Sequence, residues 1–281
     1  MAVAAAVIRH AYEAACRAEI AALKPGNVHV FADGHRMTAA AFLASAAASA
    51  AALAAPGASV GARIRAAVEA TRAAVGTNTN LGIVLLCAPL AAAAERDGPL
   101  RGSLAAVLSE LTQADADDAF AAIRLAEPGG LGTSARHDVH RPAAVSLGAA
   151  MREAAARDSI ARQYVTVFKD VFDIGLPALH AARRAAAGGM WPAVEAYLAF
   201  LAAFPDSHVA RKHGLATALQ VRAEAVTLRR RLAGCPDRAA KVELLAALDV
   251  DLKARGLNPG TSADLTVACL LVDNLMAELA S

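Results

Sequence analysis

Alanine supplies nearly half of the apolar residues of this 281-residue chain, and apolar positions recur with a helical period almost from end to end. A hydrophobic share of 57% would look membrane-like if leucine, isoleucine and phenylalanine provided it. Alanine is only weakly apolar and is the best helix former, so this composition predicts many closely packed helices. Val242, Leu245, Leu248 and Leu252 share one helix face; so do Tyr164, Val167, Phe168, Val171 and Phe172, and Leu265, Ala268, Val272, Leu275 and Leu279. No stretch reads as a strand. Stops at Pro25-Gly26, Pro56-Gly57, Asp97-Gly98-Pro99, Pro128-Gly129-Gly130, Gly188-Gly189, Gly234-Cys235-Pro236 and Asn258-Pro259-Gly260 divide the chain into roughly a dozen helices. The expected fold is all-α, one compact domain over residues 1–281, because no linker separates two independent cores.

Two stretches come nearest to a bilayer span. Ala39 to Pro56 is mostly alanine interrupted by serine, and Leu81 to Ala94 falls short of the roughly 20 residues a span needs, so both read as buried helices with no membrane partner. The apolar start is brief before Arg9, His10 and Glu13, and no basic leader precedes it; a secretory signal is not expected and the chain reads as cytoplasmic. Cys16, Cys87, Cys235 and Cys269 form no C-x-x-C pair and read as reduced, mostly buried thiols. A net charge of +2 with 19% charged residues gives no broad basic field, which excludes a long nucleic acid as partner. Any anion must be held locally.

Two polar breaks offer that. Gly76-Thr77-Asn78-Thr79-Asn80-Leu81-Gly82 precedes the apolar run from Ile83, and Leu257-Asn258-Pro259-Gly260-Thr261-Ser262-Ala263-Asp264 opens the last helix. Each sets small amides, hydroxyls and glycines where free backbone N–H groups and the positive dipole end favour an anion. One cap needs one Asn or Thr. Thr77, Asn78, Thr79 and Asn80 exceed that need, and asparagine suits ribose hydroxyls or phosphate oxygens. Thr261 to Asp264 fits a capping box, so Asp264 also has a purely structural reading.

Further polar groups cluster at other helix ends. Lys24-Pro25-Gly26-Asn27-Val28-His29 follows the first helix, with Asp33, Gly34 and His35 close behind; Lys24 reads as a phosphate ligand and His29 and His35 as imidazoles facing the same space, or as ordinary loop residues. Asp206 or Ser207 caps a helix on which His208, Arg211 and Lys212 fall at i, i+3 and i+4, a cationic stripe suited to polyphosphate. Arg229-Arg230-Arg231 cannot converge on one ligand and reads as a solvated face. The longest irregular stretch, Glu127 to Pro142, carries Pro128-Gly129-Gly130-Leu131-Gly132 and His137-Asp138-Val139-His140, the last a weak transition-metal signal. No P-loop, dinucleotide fingerprint, H-E-x-x-H or G-x-S-x-G motif is present.

Lys24-Pro25-Gly26, Asn78 to Gly82, Pro128 to Gly132 and Asn258 to Leu265, in that order and over nearly the whole chain, resemble the triphosphoribosyl-dephospho-CoA synthase family. The resemblance implies an all-helical transferase that uses ATP unusually. The 2′-hydroxyl of dephospho-CoA attacks the ribose C1′, adenine leaves, and the triphosphate is retained. It implies Lys24, Arg211 and Lys212 on phosphate, with Asn78, Asn80, Gly82, Asn258, Gly260 and Thr261 around the nucleotide. Asp33, Asp206 and Asp264 are candidates for magnesium or general base, with Asp206 and Asp264 the metal candidates, and His29 and His35 are proton carriers. Better-known members resemble Lys-Pro-Gly-Leu-Val-Asp and Asn-Thr-His-Lys-Gly; here His29 stands at the aspartate and Asn80-Leu81 at the His-Lys pair, the mark of a divergent branch. The expected ligands are small molecules, ATP with Mg2+ and a CoA-like acceptor, and a homodimer is left open. The alternatives are a paralogous phosphoribosyl transfer to another cofactor precursor such as a pterin, a metal-dependent hydrolase using His137, Asp138 and His140, and a non-catalytic helical scaffold.

Overall fold

A computed structural model describes residues 2–34, 37–134, 136–185 and 188–280. Among these the chain forms fourteen α-helices: α1 (Ala5–Ile20), α2 (Ala39–Leu53), α3 (Val60–Val75), α4 (Leu81–Ala94), α5 (Leu100–Ser109), α6 (Gln113–Ala126), α7 (Leu147–Ala154), α8 (Ser159–Thr166), α9 (Leu176–Arg184), α10 (Trp191–Ala203), α11 (Ser207–His213), α12 (Leu215–Gly234), α13 (Arg238–Ala254) and α14 (Gly260–Ala280). The only extended pairings among the described residues are two isolated bridges, His29 with Ala32 and Gly34 with Met37. The all-α expectation holds, and every Pro or Gly stop named above falls between helices or at the edge of one.

Helices that are apolar on every side belong at the centre. α4 and α10 are of this kind, and α14 packs against both as well as against α1. Pro89 lies inside α4 and has no N–H to give the Leu85 carbonyl one turn back. That carbonyl instead accepts the Tyr164 hydroxyl at 2.6 Å, so the buried backbone stays satisfied. Close crossings use glycine: a Cβ on Gly61 of α3 would collide with the Asp115 backbone of α6, while the Gly61 N–H donates to Asp115 Oδ1 at 2.8 Å.

One periodic face does not form a single helix. α8 ends at Thr166, Val167 and Phe168 take φ values of 52° and 54°, and a π-helical turn, Val171–Gly175, leads into α9. Left-handed backbone is costly for such residues. Their surroundings overdetermine it: Gln163 donates to Asp170 Oδ2 at 2.6 Å and accepts the Asp170 N–H at 3.2 Å, and Phe168 is fully buried.

No helix among the described residues is long and apolar enough to cross a membrane. Cys16, Cys87 and Cys269 are buried free thiols, Cys235 is a partly exposed one, and the three arginines at 229 to 231 are exposed. The arrangement has one consequence for function: the starts of α4, α8, α11 and α14 all border one cavity.

Candidate active site

The cavity encloses about 800 Å3. Its wall takes Asn78, Leu81 and Gly82 from the start of α4, Gly129 to Ser134 and Arg136 to Asp138 from the long loop, His208, Arg211 and Lys212 from α11, and Asn258, Gly260, Thr261 and Asp264 from the start of α14. Thus the polar loops from distant parts of the chain meet. At the back, Asn27 donates its amide to Asn258 Oδ1 at 2.8 Å, and Gly26, at φ 81°, lies so close to Pro259 that a Cβ would stand 2.9 Å from its ring.

Asp206 joins two helix starts. Its Oδ1 accepts the N–H groups of His208 at 2.9 Å and Val209 at 3.1 Å, and its Oδ2 accepts both the N–H and the hydroxyl of Ser262 at 2.8 Å. Burial pushes its carboxyl above the usual range, and the bonds from Ser262, Val209 and His208 oppose that shift. With both oxygens engaged and no exposed surface, Asp206 lies beneath the cavity and not on its wall.

The capping box expected at α14 does not form among the described residues. Thr261 turns its hydroxyl to α11, accepting the His208 N–H at 3.1 Å and meeting the Ser207 hydroxyl at 3.0 Å. Asp206 already serves the start of α14, so Asp264 faces the cavity. Burial, then the carboxylates of Glu19 and Asp206, push the Asp264 carboxyl well up, and Arg211 acts against them. A Cβ on Gly82 would collide with Asp264 Oδ2 and leave its Cγ at 2.6 Å, so glycine makes this approach possible.

Arg211 donates to the Gly129 carbonyl at 3.3 Å and stands 3.7 Å from Asp158, the cap of α8. Lys212 lies along Gly129, and among the described residues no carboxylate is at ion-pair distance from it. Burial and the Arg211 charge lower its pKa. An unpaired ammonium on a glycine-lined wall favours an anion.

Other expected site residues are placed elsewhere. Lys24 is wholly buried, its ammonium 3.0 Å from Glu19 Oε1 and donating to the Val28 carbonyl at 2.7 Å, so it does not reach the cavity. His29 is buried with Nε2 3.3 Å from Asp249 Oδ2, behind the wall. Asp33 is exposed and accepts the Ala39 N–H at 3.3 Å, near the start of α2. Asn80 turns inward and donates to the Ser49 hydroxyl at 3.2 Å. His35 lies outside the described residues. Asp138 accepts the N–H groups of Ser134 at 2.7 Å and His140 at 2.8 Å, a turn-forming role, and no group of three His, Cys, Asp or Glu side chains among the described residues stands ready for a metal.

The cavity also contains residues that the sequence reading passed over. Arg72, Arg136 and Arg157 line it from three separate elements. Nothing in their spacing marks them. Glu19 lines it too, 3% exposed. A carboxylate in the last turn of a helix opposes the dipole, so Glu19 five residues before Lys24 was a readable sign of a local pairing.

These features define an all-helical protein in which several helix starts and cationic side chains surround a cavity. A family model described as CitG, ATP:dephospho-CoA triphosphoribosyl transferase, matches residues 5–281, and the chain belongs to that family. It is 31% identical over 210 residues to a protein of Stutzerimonas stutzeri named as a 2-(5″-triphosphoribosyl)-3′-dephosphocoenzyme-A synthase; the match takes in 74% of this chain and 64% of the relative, so the chain spans less than two thirds of that relative's length. A crystal structure from Archaeoglobus fulgidus bearing the name triphosphoribosyl-dephospho-CoA synthase is similar with a TM-score of 0.66 at 26% identity, covering 82% of this chain and 96% of that one. The pterin, hydrolase and scaffold alternatives are not favoured by these findings.

Proposed function

We propose that the protein transfers the triphosphoribosyl group of ATP to the 2′-hydroxyl of dephospho-CoA and releases adenine. The observation that carries this reading is the convergence of the family's motif regions, at Asn78–Gly82, Gly129–Gly132 and Asn258–Asp264, on one cavity that also holds Arg211 and Lys212.

The triphosphate lies on the Lys212 and Arg211 wall beside Gly129, in a space that Asn258 and Thr261 also line. Asn78 accepts the Leu81 N–H at 3.2 Å, and among the described residues its amide donates to no neighbour, so its NH2 is available to a ribose hydroxyl or phosphate oxygen. Breaking the bond from C1′ to adenine places positive charge on the ribose, which the carboxylates of this cavity stabilise electrostatically. The triphosphate must survive. Cations that neutralise it without aligning an attacking water serve that need.

Mg2+ fits one of its two expected holders. Asp264 presents a carboxylate to the cavity, and magnesium binds through one or two carboxylates together with substrate phosphates. Asp206 does not fit, since both its oxygens accept hydrogen bonds from the protein. When bound, the ion would offset charge on the triphosphate. We place the reaction in the cytoplasm, where ATP is supplied. Mass spectrometry of the acceptor after incubation with ATP, Mg2+ and dephospho-CoA tests the reading: the product must carry ribose and all three phosphates, and an acceptor that gains only phosphate refutes it.

A further inference from the structure

We propose that Glu19 is the general base of the transfer, accepting the proton of the attacking hydroxyl on Oε2 while Lys24 holds Oε1. This rests on the function proposed above and assigns the role to a residue outside the motifs that suggested it. Glu19 is 3% exposed, yet it forms part of the cavity wall. Lys24 Nζ lies 3.0 Å from Oε1 and is itself tied to the Val28 carbonyl at 2.7 Å, so the ammonium is fixed at the carboxylate's rear. Among the described residues no donor reaches Oε2.

The other carboxylates of this region have different duties: Asp264, facing the cavity from the start of α14, is the one placed to hold Mg2+, and Glu153 stands 3.8 Å from Arg136. Asp206 serves two helix starts and is off the wall. Asp158 caps α8 and faces Arg211, and Asp138 holds a turn. Glu127 is exposed beside Arg72. Glu19 alone among these combines an anchored oxygen with an open one. Stability does not account for the pair, because buried ion pairs contribute little beyond what apolar side chains of the same shape would give. Burial also pushes the Glu19 carboxyl up against the pull of Lys24, which makes it a stronger proton acceptor than a solvated carboxylate.

In the step, the acceptor oxygen bonds to C1′ as the bond from C1′ to adenine N9 breaks with its electron pair leaving on adenine. The hydroxyl proton passes to Glu19. Adenine takes one proton from water, and Glu19 returns one to water before the next turnover, so protons balance. Lys24 acts through Glu19 and is a positioning residue.

The test compares the wild type with Glu19→Gln, Lys24→Met and the double variant Glu19→Gln/Lys24→Met, measuring ATP binding by calorimetry and adenine release with ATP, Mg2+ and dephospho-CoA. The double variant leaves no unpaired buried charge, so it folds even if a single variant does not. ATP binding within about threefold of wild type, with adenine release reduced by about 100-fold or more in the double variant, is the expected result. Lys24→Met should lower kcat and leave the KM for ATP within about twofold. Adenine release within about fivefold of wild type in the double variant overturns the assignment and leaves the transfer standing. Loss of ATP binding in parallel with activity makes Glu19 a binding group and also overturns it. Wild-type protein that binds ATP and releases no adenine overturns both this inference and the function on which it rests.

Discussion

Asp206 accepts both the backbone N–H and the hydroxyl of Ser262, each at 2.8 Å, while its other oxygen caps α11. One buried carboxylate therefore ties the helix carrying Arg211 and Lys212 to the helix carrying Asp264. Asp206→Ala removes four hydrogen bonds and leaves their donors buried. The expected cost is about 3 kcal/mol of stability, read as a lower denaturant midpoint, with weaker ATP binding as the two helix starts separate.

Gly82 controls how near α4 comes to Asp264. Gly82→Ala places a methyl against the Asp264 carboxylate, so ATP affinity should fall about tenfold or more, a change of about 1.4 kcal/mol. Gly102 of α5 is the control, since a Cβ there meets nothing within 4 Å. Gly102→Ala should leave ATP affinity unchanged and raise stability by about 0.5 to 1 kcal/mol. Equal loss of ATP affinity in both variants would contradict this account.

Lys212 has no acidic partner among the described residues, so its removal exposes no orphaned carboxylate. Lys212→Ala should raise the KM for ATP about tenfold, flatten its dependence on salt, and change the melting temperature little. A large fall in melting temperature with unchanged KM would assign Lys212 to the fold instead.

Much of this was legible in the chain. Periodicity and Pro/Gly stops located the helices, because alanine-rich segments have few other choices and helix ends need particular residues. The face from Tyr164 to Phe172 misled, since a spacing pattern cannot see the Gln163 and Asp170 pairing that holds Val167 and Phe168 in left-handed backbone. The loops at Asn78 and Asn258 were visible because they contain more hydrogen-bonding side chains than capping requires. Lys24 reads as a phosphate ligand, yet its partner is Glu19, whose place in the last turn of α1 hints at a pairing but whose position on the cavity wall appears only when α1 is packed. Arg72, Arg136 and Arg157 carry no local signal at all; the fold alone assembles them.

Asp249 supports the Lys24 to His29 turn from behind, accepting the Gly26 N–H at 2.9 Å and Lys253 at 3.0 Å, beside His29. Burial raises its carboxyl, but the hydrogen bonds from His29, Lys253 and Gly26 outweigh that and hold it below the usual value. A depressed carboxylate stabilises the fold at pH above its unfolded value, about 3.9, and loses that contribution as pH falls through the folded value. Asp249→Asn should therefore cost about 2 kcal/mol at pH 7, and the gap to wild type should narrow in urea titrations below about pH 4. A gap that widens on acidification would contradict the assignment.

The most direct measurement is a time course of purified protein with ATP, Mg2+ and dephospho-CoA, resolving adenine, ADP and phosphate by chromatography. The account predicts one free adenine for each ATP consumed, strictly dependent on the acceptor, without ADP or phosphate. Consumption of ATP to ADP or phosphate with no adenine would contradict it.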